Sequence, residues 1–255
     1  MREEIRWGDG PDHVADLHLP SEEGPFTTDH GTPAVMLIHG GFWKQAFDRS
    51  LMTPMAEALA EAGVIVWNVE YRRWSPGDEG VWQETISDVM RAWGHLEGLD
   101  GVDATRTAVV GHSAGGHLAL VLAALADRRP MFCITQAAVA DLVAADAAAL
   151  SDQGDACQRW VGSRVEEGAP PWEALNPIHL VPTCPVVLTH GEHDEDVPIA
   201  MSEACAETYS KGGAEARMLP LPGNHYTIID PRHDSGQRVQ EEVLTWLMSG
   251  GASGP

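Results

Sequence analysis

Lysine is almost missing from this chain, with two residues in 255 beside fourteen arginines. The sixteen basic residues face 38 acidic ones, and the formal net charge is −22. A surplus of that size repels polyphosphate and anionic lipid. Nucleic acid and anionic membrane are therefore excluded as partners, and a small molecule is expected instead. Cysteine is also scarce: Cys133, Cys157, Cys184 and Cys205 are scattered, with no Cys-x-x-Cys pair. No apolar stretch follows Met1-Arg2-Glu3-Glu4 to suggest a secretory signal, and no run is long enough to cross a bilayer. Four free thiols and a cytoplasmic location are expected. Internal repeats are absent too.

What remains is a regular alternation. Short apolar runs at 34–38, 64–69, 107–110, 131–138, 185–189 and 216–221 predict strands. Amphipathic stretches at 51–62, 85–96, 118–126, 199–211 and 237–248 predict helices between them. Two further strands are expected at 3–7 and 13–19, around a turn at Gly8-Asp9-Gly10-Pro11. Strands alternating with helices predict an α/β fold, a mainly parallel central sheet flanked by helices on both faces. Residues 1–249 are expected to form a single domain, 141–177 a small lid-like insertion and 250–255 a disordered tail.

The most informative stretch runs from Thr107 to Gly116. An apolar strand enters Gly111-His112-Ser113-Ala114-Gly115 and leads straight into a helix. A serine on so sharp a strand-to-helix turn has its hydroxyl exposed at the end of the sheet. Glycines flank it because side chains there would collide with the neighbouring strand and helix. The elbow geometry makes the N–H of Ala114 a donor for an oxyanion. Serine needs a base to take its proton, and the base needs an acid to orient it. Later strands supply both. His190-Gly191-Glu192-His193-Asp194-Glu195-Asp196 follows one, and Pro222-Gly223-Asn224-His225 follows another. The order is serine, acid, histidine.

Together, His39-Gly40-Gly41-Phe42-Trp43, Glu70-Tyr71-Arg72-Arg73, the serine elbow, the His190–Pro198 turn and Gly223-Asn224-His225 resemble the α/β-hydrolase superfamily. The likeness covers the chain from His39 to Trp246. It is nearest to small carboxylesterases and kynurenine formamidase-like enzymes. The resemblance implies Ser113 as nucleophile, His225 as general base and acid, and Asp194 as orienting carboxylate, with Glu192, Glu195 and Asp196 as competitors. It also implies oxyanion donors at Gly41 and Phe42, where many lipolytic relatives have a third glycine in place of Phe42.

Nine tryptophans stand beside three tyrosines and four phenylalanines. Phe42, Trp43, His112, Trp74 and Trp160 are expected at the substrate, with Trp74 and Trp82 in a loop. Arg72 and Arg73 are expected in internal salt bridges, and Asp88 as a hydrogen-bond partner. The activity so implied is a cofactor-free serine hydrolase that cleaves small carboxylic esters through an acyl-enzyme. The nearest alternative is an arylformamidase using the same residues. A non-catalytic protein on this scaffold is a third reading. A metal enzyme built on His190, His193, Asp194 and Asp196 is a fourth.

Overall fold

The computed structural model describes residues 1–20, 25–165 and 170–250. Eight strands form one sheet: β1 (Arg2–Arg6), β2 (Val14–His18), β3 (Thr32–Ile38), β4 (Ile65–Val69), β5 (Val102–His112), β6 (Cys133–Gln136), β7 (Val186–Gly191) and β8 (Ala216–Leu221). Their order is β1-β2-β4-β3-β5-β6-β7-β8. From β4 to β8 every pairing is parallel, while β1 and β2 add an antiparallel edge. A parallel sheet is covered on both faces, which is why β3 reads Thr-Pro-Ala-Val-Met-Leu-Ile and is buried throughout.

The side-chain period of two divides that strand between two cores. Ala34, Met36 and Ile38 pack on one face with helices α2 (Trp82–Leu96), α3 (Ala114–Leu125) and α7 (Ile199–Lys211). Val35 and Leu37 pack on the other with α1 (Thr53–Glu61) and α8 (Asp234–Met248). The helix α3 has a mean apolarity far above that of its neighbours, and ten of its residues are buried. It lies under the sheet rather than on the surface.

Several boundaries differ from the sequence reading. Strand β5 begins at Val102 and runs to His112, beyond the expected 107–110. Helix α3 begins at Ala114, four residues early, because its first turn is the glycine-rich half of the elbow and carries no apolar periodicity. Trp82 opens α2 instead of lying in a loop. The 141–177 segment holds α4 (Leu142–Ala147), α5 (Ala156–Val161) and α6 (Pro170–Ala174). Leu142, Ala145, Ala156, Cys157 and Trp160 from this segment enter the first core, so much of the expected lid is packed down. Residues 166–169 of that segment, and 251–255 of the expected disordered tail, lie outside the described residues.

Candidate active site

Six chain segments leave the carboxyl ends of parallel strands on the same rim of the sheet. At the end of β5, Ser113 adopts φ 55° and ψ −119° before α3 begins. Positive φ strains a non-glycine residue, and the surroundings hold it there. Its N–H donates to Gln136 O at 2.8 Å, and its carbonyl accepts from Val139 N and His117 N, both at 3.1 Å. The glycines beside it are obligatory. A Cβ on Gly111 would sit 2.2 Å from Gly115 O, and one on Gly115 would sit 2.2 Å from Ile38 O of β3. The N–H of Ala114 opens α3, where no intrahelical acceptor exists.

The first five carbonyls of the loop after β3 are all engaged. His39 O accepts from Tyr71 Oη at 2.8 Å and Gly40 O from His39 Nδ1 at 2.7 Å. Gly41 O accepts from Lys44 N, Phe42 O from Trp74 Nε1 and Trp43 O from Trp74 N. Fixing the carbonyls fixes the peptide planes, and with them the N–H directions. The N–H groups of Gly41 and Phe42 have no acceptor among the described residues. Gly41, Phe42 and Trp43 have φ of 110°, 51° and 54°, three consecutive residues on the left-handed side. Glycine is required at 41, since a Cβ there would lie 2.4 Å from Phe47 Cβ. Behind the loop, His39 Nε2 bonds Glu70 Oε1 at 2.8 Å, and Arg73 pairs with Glu70 at 2.7 Å and Asp12 at 2.8 Å. Burial would raise the Glu70 carboxyl, but the His39 and Arg73 contacts outweigh it and hold the group lowered.

The turns after β7 and β8 are bonded to each other. Glu192 N donates to Leu221 O, and His193 N to Gly223 O at 2.9 Å. That puts Asp194 beside His225, whose Nδ1 donates to Asp194 Oδ2 at 2.7 Å. Asp194 Oδ1 accepts from Asp196 N at 2.9 Å and Val197 N at 2.8 Å. His190 Nε2 stands 3.3 Å from Asp194 Oδ2. That ring is held by Val197 O at 2.9 Å and by Ser202 Oγ at 2.8 Å. Val197 O only accepts, so Nε2 of His190 carries a proton. Burial would raise the Asp194 carboxyl; the bonds from His190, His225 and the loop outweigh it and hold it well below the usual carboxylate range. Of the four acidic residues in this turn, Asp194 is the one that meets His225.

Ser113 and His225 line one cavity of about 390 Å³, together with Gly41, Phe42 and His112. His112 joins the elbow to the histidine turn: its Nε2 donates to His225 O at 2.9 Å, and the two rings lie 4.6 Å apart. Burial, then the neighbouring His225, push His112 well below the ordinary histidine value, so it is a neutral strut as well as part of the wall.

The expected aromatic wall needs correction. Trp43 and Trp160 are fully buried, stacked 4.5 Å apart, with His117 edge-on to both. Trp74 is 4% exposed and points its indole N–H at Phe42 O. These three tryptophans support the loop and the core; none lines the cavity. Their place beside a glycine-rich motif said nothing of which way the rings turn. The positive φ of Trp43 turns its ring inward. Phe42 does line the cavity, joined by Phe47, Leu51, the 149–152 stretch and Tyr226. Tyr226 was legible as the neighbour of His225, whereas Phe47 and Leu51 carried no motif. Arg72 forms a two-pronged bridge to Asp88 at 2.7 Å, and Asp88 also bonds His13. Both are structural, as expected.

Carboxylate oxygens of Asp194 and Asp196 and a ring nitrogen of His225 lie within 4.8 Å of one another. The two Asp194 oxygens already face four N–H donors, about as many as a carboxylate accepts, so this oxygen pair is a poor metal ligand. His193 is exposed and His190 is committed to Val197 and Ser202.

Comparison with known proteins gives the family and the fold. The BD-FAE family model matches residues 16–209. A probable isoprenylcysteine alpha-carbonyl methylesterase of Oryza sativa subsp. japonica is 24% identical, over 94% of this chain and 62% of its own length. A kynurenine formamidase of Salmo salar is 29% identical, over 46% of this chain and 37% of its own. The chain thus spans about three-fifths of the length of the plant relative and less of the fish one. Esterase B from Lactobacillus rhamnosis superposes with a TM-score of 0.81 at 20% identity, covering 98% of this chain and 86% of that one. The chain belongs to the BD-FAE family and has the α/β-hydrolase fold.

Proposed function

We propose that this chain is a serine hydrolase that cleaves small carboxylic esters through an acyl-enzyme. The observation that carries the reading is the convergence of three separate segments. Ser113 on a strained backbone shares a cavity with His225, and His225 bonds the buried Asp194 at 2.7 Å. With Nδ1–H directed at Asp194, Nε2 of His225 is the unprotonated nitrogen and serves as base.

Ser113 Oγ attacks the ester carbonyl carbon as its proton passes to His225 Nε2. The oxyanion so formed takes N–H donors from Ala114 and from Gly41 or Phe42. Collapse breaks the ester C–O bond, and His225 gives its proton to the departing alkoxide. Water then attacks the acyl carbon, losing a proton to His225, and a second collapse frees the acid and restores the Ser113 hydroxyl. Every group in this cycle belongs to the chain. A cavity of about 390 Å³ suits a short acyl or small aryl ester better than a lipid aggregate.

Residues 1–249 act in this reading as one catalytic domain. No helix among the described residues is long and apolar enough to cross a membrane. All four cysteines are free and buried, which supports a reducing compartment such as the cytoplasm. Formamidase activity is the second reading, favoured by the fish kynurenine formamidase among the relatives. The same donors and nucleophile serve an N-formyl anilide. The test is turnover of a short-chain p-nitrophenyl ester beside an N-formyl anilide, with the Ser113→Ala variant and fluorophosphonate labelling. Ester turnover and labelling that both vanish in the variant support the proposal. Persistent turnover in Ser113→Ala rejects it, and faster anilide cleavage favours the second reading.

A further inference from the structure

The wall of the Ser113 cavity carries three carboxylates, Asp152, Glu195 and Asp196, and neither lysine nor arginine. Asp152 is paired with Lys44, 2.6 Å away. Glu195 and Asp196 make no ion pair among the described residues. The two histidines of the wall do not offset them: His112 is neutral and His225 is bonded to Asp194. Asp196 stands close, with a carboxylate oxygen within 4.8 Å of a His225 ring nitrogen. Ser113 lines the same cavity, 1% exposed, its hydroxyl unbonded among the described residues. Two of the cavity's aromatic residues are accessible: Tyr226, half exposed and 5.3 Å from the His225 ring, and Phe47, 38% exposed.

We propose that the site selects esters bearing a positive charge beside the scissile bond and rejects those bearing a carboxylate there. The inference rests on the ester-hydrolase reading of Ser113 and names its substrate class. Two unpaired carboxylates attract a cation into the cavity and repel an anion, and the field adds to the net charge of −22. The neighbouring rings favour a soft organic cation, an alkylammonium above all, through their electron-rich faces. The Tyr226 hydroxyl registers the same field. Burial first, then the charges of Asp196 and Asp194, raise its pKa. The carboxylates are solvent-accessible, so their effect is moderate and salt-dependent. About tenfold between a cationic ester and its neutral isostere is expected at low ionic strength.

The experiment compares kcat/KM for three thioacetates of equal size: a trimethylammonium alkyl ester, its tert-butyl isostere and its carboxylate analogue. Each is measured at about 10 mM and about 500 mM salt. The expected order is cationic, neutral, anionic, with the spread shrinking at high salt. The double variant Glu195→Gln with Asp196→Asn brings the ratios towards one, while Glu203→Gln on the exposed face of α7 leaves them in place. Ratios are read within each variant, so a general loss of activity does not disturb them. A wild type that prefers the neutral ester, or ratios unchanged in the double variant, overturns the proposal. Neutral-ester turnover that Ser113→Ala abolishes upholds the hydrolase reading whatever the ranking. If none of the three thioesters is turned over while a p-nitrophenyl ester is, this proposal falls and the hydrolase reading stands.

Discussion

Replacing Asp194 by asparagine tests the chemical logic of the site with one atom. The aspartate Oδ1 accepts two backbone N–H groups, and Oδ2 faces His225 Nδ1 at 2.7 Å and His190 Nε2 at 3.3 Å. An asparagine carbonyl keeps the two backbone bonds, so its amide nitrogen takes the Oδ2 position. A donor then faces His225 Nδ1, which must become an acceptor. The imidazole proton moves to Nε2, the atom that receives the Ser113 proton in the proposed mechanism. Loss of this tautomer at a serine triad lowers kcat about 10³–10⁴-fold, or ~4–5.5 kcal/mol of barrier. Stability shifts with pH as well. The folded-state pKa of Asp194 lies below its unfolded value, so its stabilisation is complete above about pH 4 and is lost as pH falls through the folded value. The asparagine form lacks that acid-side loss. The assay is p-nitrophenyl ester hydrolysis with thermal unfolding measured from pH 7 down to about pH 3. Asp196→Asn, the nearest rival in the turn, is expected to lower kcat on the neutral ester less than tenfold. If Asp194→Asn keeps more than a tenth of wild-type kcat, or Asp196→Asn is the more damaging, the triad assignment is wrong.

Gly115→Ala drives a Cβ to 2.2 Å from Ile38 O, a backbone atom of a central strand, and is expected to cost at least about 3 kcal/mol by chemical denaturation. Trp43→Ala leaves a hole between Trp160 and His117 and is expected to destabilise by about 3–5 kcal/mol, seen as a fall in Tm. A Trp43→Ala protein of unchanged Tm would argue for the pocket-wall position that the sequence suggested. The thiols are inert while folded: burial pushes Cys184 and Cys205 up to about 12. Ellman's reagent should find four thiols after unfolding and react slowly with the native protein, and reductant should leave Tm unchanged. Fewer than four in the denatured chain would mean a disulfide. His190→Phe removes the second donor to Asp194 while keeping a ring, and should lower kcat by about tenfold with little change in KM.

The fold and the chemical residues were legible because local order wrote them into the chain. Buried parallel strands need continuous apolar runs, so β3, β4 and β7 stood out. The elbow needs glycine on both sides of Ser113 because carbonyl oxygens stand 2.2 Å from any added carbon, and that requirement is visible as letters. Asp194 and His225 follow strands that end at the same rim, so their order alone suggested that they meet.

Other features depended on packing between distant segments. The sequence reading preferred Asp194 among four neighbouring acids, but its 2.7 Å contact with His225 needs the turns after β7 and β8 to meet. Whether Trp43 and Trp160 wall a pocket or stack in the core was decided by a run of left-handed backbone and by the descent of the 141–177 segment onto the sheet. The sequence by itself determined the parallel sheet, the sharp serine turn and the three residue types around it, because each answers to a nearby steric or periodic demand. The tertiary structure alone decided the cavity's acidic wall and the His112 strut. They join side chains remote in the chain, and no local pattern encodes contacts of that kind.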